Sequence, residues 1–261
     1  MKPVTLISGA SAGIGAELAR VFAAHGHELV LVARRAERLA ALADAIAASG
    51  RPRPSVIAAD LERREAVTGI AAELKARDLE PANVVNNAGF GLLGPAAALD
   101  RDGQLAMIDL NVRALTELSL AFIDSLASHR GGILNVASLA AFMPGPGMAI
   151  YYATKAYVLS FSEALHQELA DRGIRVTALC PGPVPTEFQA RAGIGARGMS
   201  GVLTLSAERV AQIGYDGFVR GQRVVVAGAG NQIVAALMRL TPNRILLPAI
   251  ASSTRGLARN S

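Results

Sequence analysis

Apolar positions along the chain follow two periods that alternate. Val4-Thr-Leu-Ile-Ser8 is a short run with β character, and Ile14, Leu18, Val21 and Phe22 then recur on one face of a helix reaching His25. The pair repeats. Strand-like runs at Glu28 to Ala33 and Ser55 to Ala59 are followed by helical stretches at Glu37 to Ala48 and Arg64 to Ala76. Asn83 to Asn86 predicts a fourth strand, and Gln104 to Ser128 one long helix. Further strands are expected at Gly132 to Ala137, Ile174 to Cys180 and Arg223 to Ala227, with helices at Ile150 to Asp171 and Ala207 to Val219. Residues 182 to 206, rich in Gly and Pro, read as loop. Strand and helix in alternation predict an α/β protein with a parallel sheet and helices on both faces. No linker divides the pattern, so residues 1–261 are read as a single domain.

Composition narrows this picture without changing it. Of the 261 residues, 51% are apolar, enough for a large core and unlike a disordered chain. Lys and Arg exceed Asp and Glu by 26 to 21. The basic residues are scattered and aromatics are few, which argues against a nucleic-acid partner and for a small phosphate-bearing ligand. Cys180 is the single cysteine and reads as a small buried hydrophobe; it permits a reducing, cytoplasmic setting. The four histidines lack metal-ligand spacing, and His25 and His27 are expected in solvent at a helix end. No metal site, signal peptide or transmembrane span is expected.

Three short patterns carry candidate chemistry. Ser8-Gly-Ala-Ser-Ala-Gly-Ile-Gly15 lies between the first strand and the first helix. Gly9, Gly13 and Gly15 permit a tight turn, and the helix start that includes Ile14 offers free N–H groups to a pyrophosphate. Tyr151-Tyr-Ala-Thr-Lys155 places Tyr151 and Lys155 four residues apart on one helical face. A nearby ammonium favours the phenolate and suits the phenol to acid–base work near neutral pH. Tyr152 has no lysine four residues on. Ser138 and the run Asn86-Asn-Ala-Gly89 end strands at the edge where doubly wound sheets bind ligands; a cap or a turn is their plainer use.

Taken in order, Gly9-x-x-x-Gly13-x-Gly15, Asn86-Asn-Ala-Gly89, Asn111, Ser138, Tyr151-x-x-x-Lys155 and Pro181-Gly182 resemble the short-chain dehydrogenase/reductase superfamily over about residues 3 to 228. The resemblance implies a doubly wound Rossmann-type fold with a seven-stranded parallel sheet. It implies an oxidoreductase in which Tyr151 exchanges the substrate proton and Ser138 holds the substrate oxygen. Lys155 binds the nicotinamide ribose and lowers the Tyr151 pKa, and Asn111 supports a proton-relaying water. It further implies that Asn87, Ala88 and Gly89 line the cofactor cleft, that Asp60 and Leu61 edge the adenine, and that Pro181, Gly182 and Thr186 flank the nicotinamide. Homodimers or homotetramers are expected on the same ground.

The second strand ends Ala33-Arg34-Arg35, with no acidic side chain to accept hydrogen bonds from an adenosine ribose. Arg34 and Arg35, with Ser11 nearby, suit a 2′-phosphate instead, so NADP(H) is expected in preference to NAD(H). The resemblance also implies that residues 187–206 form a substrate loop. Phe188, Ile194, Met199, Val202 and Leu203, with Phe90, Leu92, Leu93, Phe142 and Met143, point to an apolar or amphipathic carbonyl or alcohol. Residues 231–261 form a C-terminal extension. Ile233, Val234, Leu237, Met238 and Leu240 make a helical stripe, and Pro242 and Pro248 break the remaining apolar stretch. Four arginines and no acidic residue there permit peripheral membrane contact; packing on the protein's own cleft or a partner subunit is the more economical reading. A cofactor-binding sensor of the same fold, or a membrane-surface reductase of lipid-like substrates, stand as alternatives.

Overall fold

The structure is a computed structural model, and it describes residues 1–193 and 203–259, with side chains to residue 252. Among these residues lie seven strands: β1 (Lys2–Ser8), β2 (Leu29–Ala33), β3 (Ser55–Ala58), β4 (Leu79–Asn86), β5 (Gly132–Val136), β6 (Arg175–Cys180) and β7 (Val224–Val226). They form one parallel sheet in the order β3-β2-β1-β4-β5-β6-β7. The strand residues are apolar at consecutive positions because both faces are covered. Ile7, Leu31, Val85 and Leu134 pack under α1 (Gly13–Ala24), α2 (Ala36–Ala48) and α9 (Ala207–Val219). Their neighbours Leu6, Val30, Val84 and Ile133 pack on the other face, under α3 (Ala66–Ala76) and α7 (Ala149–Glu168).

The chain runs outward from β1 to β3 and then returns to place β4 on the other side of β1. Loops after β1 and β4 therefore leave in opposite directions and open a crevice at the strands' carboxyl ends. β4 is longer than the sequence pattern suggests. It starts at Leu79 and takes Pro81 into the strand, where the register against β1 shifts between Val4 and Thr5.

The expected single helix from Gln104 to Ser128 is three segments, α4 (Arg101–Ile108), α5 (Leu115–Ala121) and α6 (Ile123–Ser128). A π-helical stretch, Asp109–Ala114, joins the first two, and Phe122 leaves helical geometry with ψ 16°. The loop expected over 182–206 contains a short helix, α8 (Glu187–Ala192). Thr186 caps it, accepting from Phe188 N at 3.3 Å, and Gln189 Oε1 accepts from Thr186 N at 2.9 Å. This reciprocal pair is a capping box, written in the sequence as Thr-x-x-Gln but outweighed in a reading dominated by Pro183 and Pro185.

His27 is half-buried, not solvated. Its ring bonds Thr5 Oγ1 at 3.1 Å and Tyr215 Oη at 3.3 Å, and burial holds its pKa below the usual imidazole value. The C-terminal extension forms α10 (Ala229–Leu240) and α11 (Asn243–Arg259), the second running through Pro248 rather than stopping there. Only part of the expected stripe is covered. Val234 and Met238 are half-buried, whereas Ile233, Leu237 and Leu240 are 63%, 58% and 81% exposed. No described helix is long and apolar enough to cross a membrane.

Candidate active site

A cleft of about 650 Å³ opens at the crevice between the loops after β1 and β4. Its glycine-rich wall is built by backbone contact. Gly9 has φ +66°, and a Cβ there would lie 2.7 Å from Ala88 Cα; a Cβ on Gly15 would lie 2.3 Å from Gly9 O and from Asn87 Nδ2. Ser8 organises this junction. Its hydroxyl accepts from Asn87 N at 3.0 Å and Ala88 N at 3.2 Å and donates to Val85 O, while Asn87 Nδ2 returns bonds to Ser8 O and Gly9 O. Ser8 escaped the sequence reading because it precedes the glycines and looks like a strand residue.

Ser138, Tyr151 and Lys155 meet on the far wall. Ser138 Oγ accepts from Ala140 N at 3.1 Å and, on the same cleft wall as Tyr151, lowers the pKa of its phenol, so the turn-cap use and the site use coexist. Lys155 Nζ, 6% exposed as a residue, donates to Val136 O at 2.7 Å and lies 5.9 Å from the Tyr151 ring centroid. Burial pushes the Tyr151 phenol up to about 12 against the lowering effect of Ser138. The expected lowering by Lys155 is not what governs this phenol: desolvation wins, and the lysine's own pKa falls to about 8 for the same reason. Tyr152 packs its ring over Gly145, where a Cβ would lie 2.3 Å from the ring, and forms a neighbouring part of the wall.

Asn111 sits in the π-helical stretch and is 1% exposed. Its amide donates to Phe90 O at 2.9 Å and Thr154 Oγ1 at 3.1 Å and accepts from Phe90 N; Thr154 in turn donates to Tyr151 O. The side chain thus ties the loop after β4 to the helix that carries Tyr151. Arg113, two residues on, donates to the carbonyls of Leu61 and Glu62. It braces the Asp60–Leu61 edge of the cleft, a role no short motif announced.

Ser11, Gly13, Ile14, Arg34, Arg35, Asp60, Leu61, Ala88, Gly89, Pro181, Gly182 and Thr186 all line the same cleft. Thr186 stands over Gly13, whose Cβ would meet its methyl at 3.0 Å. Gly182 is backed by Asn231, which is 2% exposed and donates to Leu203 O and Ala227 O. At the α2 end, Arg35 donates to Ser11 Oγ at 3.0 Å, whereas Arg34 is turned to Glu62 at 3.1 Å. The sequence offered Arg34 and Arg35 together; the geometry gives the contact with the glycine loop to Arg35. Of the expected apolar lining, Met143 and Phe188 reach the cleft, joined by Met148. Phe90, Leu92, Leu93, Phe142 and Leu203 do not line it: Phe90 is in the core beneath Arg191, and Phe142 lies under Arg239. Ile194, Met199 and Val202 fall outside the described residues. No cluster of potential metal ligands occurs among the described residues.

The profile of the family described as short chain dehydrogenase matches residues 3–195. The chain belongs to the short-chain dehydrogenase family. It is an oxidoreductase of that family, with a Rossmann-type sheet like those of its structural neighbours. Among curated relatives, sulfoacetaldehyde reductase 2 of Chromohalobacter salexigens is 36% identical over 191 residues, covering 72% of this chain and 75% of the relative. An NADP-dependent 3-hydroxy acid dehydrogenase of Salmonella typhi is 36% identical over 71% of this chain and 74% of its own. A short-chain dehydrogenase of Sphingobium yanoikuyae, solved with NADPH, superposes with a TM-score of 0.79 at 36% identity, covering 86% of this chain and 87% of that one. The bulky-bulky ketone specific alcohol dehydrogenase of Comamonas testosteroni gives a TM-score of 0.76 at 30% identity, with 92% of both chains covered.

Proposed function

We propose that this short-chain dehydrogenase moves a hydride between NADP(H) and the carbonyl carbon of an apolar or amphipathic aldehyde or ketone, or the corresponding alcohol. The observation that carries the reading is the Tyr151 phenol, gathered with Ser138 and Lys155 on the wall of a cleft whose other end is a glycine turn. The residues present fit a dinucleotide. Gly9 and Gly15 leave the backbone bare where a Cβ would collide, and α1 begins there with free N–H groups. When bound, the cofactor supplies the hydride.

The chain supplies position and a proton. Gly9, Gly13, Ile14 and Gly15 cradle the pyrophosphate. Asp60 and Leu61 edge the adenine, and Asn87, Ala88, Gly89, Pro181, Gly182 and Thr186 hold the nicotinamide half. Ser11 and Arg35, with Arg34 beside them, take the 2′-phosphate; Ala33, at the end of β2, supplies no carboxylate to a ribose 2′-hydroxyl. Ser138 orients the substrate oxygen. Tyr151, neutral at physiological pH, donates its proton to that oxygen as charge develops there, and the Lys155 ammonium stabilises the phenolate left behind. Asn111 fixes Tyr151 through Thr154. Met143, Met148 and Phe188 give the substrate end its apolar character. Relatives acting on sulfoacetaldehyde, 3-hydroxy acids or ketones support the reaction class without choosing a substrate.

The test is oxidation of NADPH and of NADH against a panel of aldehydes, ketones and 3-oxoacyl thioesters. A carbonyl-dependent loss of reduced cofactor is expected, with kcat/KM about 10–100-fold higher for NADPH, the worth of one or two charge-assisted hydrogen bonds. Tight cofactor binding with no turnover on any carbonyl would instead favour a sensor.

A further inference from the structure

The cationic corner that Ser11 and Arg35 form already holds an anion from the chain itself. Arg35 reaches two ways: Nη2 donates to Ser11 Oγ at 3.0 Å, and Nη1 donates to Glu187 Oε2 at 2.8 Å. Arg38, one turn along α2, donates to the other carboxylate oxygen of Glu187. Glu187 is the first residue of α8, on the opposite side of the cleft and 152 positions away in sequence. Ser11, Arg35 and Glu187 all line the cleft. The two guanidinium groups hold the carboxyl below its usual range, so it is ionised at neutral pH. It is also 53% exposed and free to move away.

We propose that Glu187 is a specificity-determining residue whose carboxylate occupies the arginine fork in place of a 2′-phosphate and competes with it. This rests on the NADP(H) reading above. The physical argument is one of linkage. A ligand with a 2′-phosphate must take Arg35 from Glu187 and then sit beside the displaced negative charge. A ligand with a free 2′-hydroxyl needs neither step. Glu187 therefore lowers the affinity for 2′-phosphorylated nucleotides and leaves that for their unphosphorylated counterparts unchanged. The bond also joins α8 to α2, so arrival of a 2′-phosphate frees α8 from that anchor.

The experiment measures binding of NADPH, NADH, 2′,5′-ADP and 5′-AMP by calorimetry to the wild type and to Glu187→Gln, with Glu187→Ala as a second variant. The position faces solvent, and circular dichroism verifies that each variant is folded. Glu187→Gln is expected to tighten NADPH and 2′,5′-ADP by about three- to tenfold, the range set by loss of two exposed ion pairs. NADH and 5′-AMP should not change. A merely structural role for Glu187 would move all four ligands together and overturn the proposal. So would unchanged or weaker NADPH binding in a variant of a wild type that prefers NADPH, which leaves the NADP(H) reading intact. If the wild type binds 2′,5′-ADP no better than 5′-AMP, the NADP(H) reading fails and the competition falls with it.

Discussion

At the scale of single residues, the site is governed by burial more than by the neighbouring charge. Lys155 lies four residues from Tyr151, as the motif requires, but its ammonium is committed to Val136 O. The phenol stays high, at about 12, and the lysine low, at about 8. A phenol in that range is a proton donor at neutral pH, which suits reduction. Replacing Tyr151 by Phe removes the proton and keeps the ring packing. Turnover should fall by about 10²–10⁴-fold, with the Kd for NADPH little changed, while Tyr152→Phe keeps activity. The reverse pattern would reassign the donor. The lysine sets the pH dependence. Its folded pKa is depressed, so its charge is present below about pH 8 and lost above it. Because kcat/KM reports groups of the free enzyme, reduction should be flat near neutrality and decline above about pH 8 as support for the phenolate disappears. A profile that stays level well into alkaline pH would exclude Lys155 from that role.

At the scale of elements, two glycines in helices show opposite demands. Gly15, in the first turn of α1, meets Gly9 O and Asn87 Nδ2 at 2.3 Å from a would-be Cβ, and Gly9 O is backbone that cannot yield cheaply. Gly15→Ala pries α1 from the loop after β4. A cost of about 1–3 kcal/mol is expected, read as a Tm lowered by roughly 2–10 °C, with dinucleotide affinity lost as well. Gly69, mid-way along α3, is exposed and has nothing within 4 Å of its Cβ position. Gly69→Ala should raise stability by about 0.5–1 kcal/mol through the backbone entropy it removes. Thermal unfolding of the two variants side by side checks both signs. Elements were also where sequence reading went furthest astray. The segment from Gln104 to Ser128 keeps helical spacing throughout, so periodicity cannot reveal the π-helical stretch that carries Asn111 and Arg113 to their partners behind the cleft wall. Its cause is tertiary: Phe90, Thr154 and the carbonyls of Leu61 and Glu62 supply the partners.

At the scale of the whole molecule, the buried side chain of Asn231 joins the C-terminal extension to the cleft. Asn231 Nδ2 bonds the carbonyls of Leu203 and Ala227, and the amide fills the space beside Gly182. Asn231→Ala leaves the buried Ala227 carbonyl and the part-buried Leu203 carbonyl without that donor, and Gly182 without its wall. A loss of about 1–3 kcal/mol in unfolding free energy is expected, together with weaker NADPH binding. Denaturant unfolding and cofactor titration of the same variant check it. A variant that loses stability and binds NADPH as before would show that α10 braces the fold without shaping the site.

Local chemistry was written in the sequence wherever a side chain acts through its own neighbours. The two-period pattern encoded β1, α1 and the later strands, because a strand buried on both faces is apolar along most of its length. The glycine turn, Tyr151 with Lys155, and the Ala33-Arg34-Arg35 corner were readable because each depends on spacing along one element or one turn. The tertiary structure alone decided which groups meet across the cleft. It set Glu187 on Arg35, stood Thr186 over Gly13, and brought Ser138 to the cleft wall that carries Tyr151. It also decided the protonation of Tyr151 and Lys155, since desolvation depends on everything that surrounds a group and sequence spacing reports only what lies beside it along the chain.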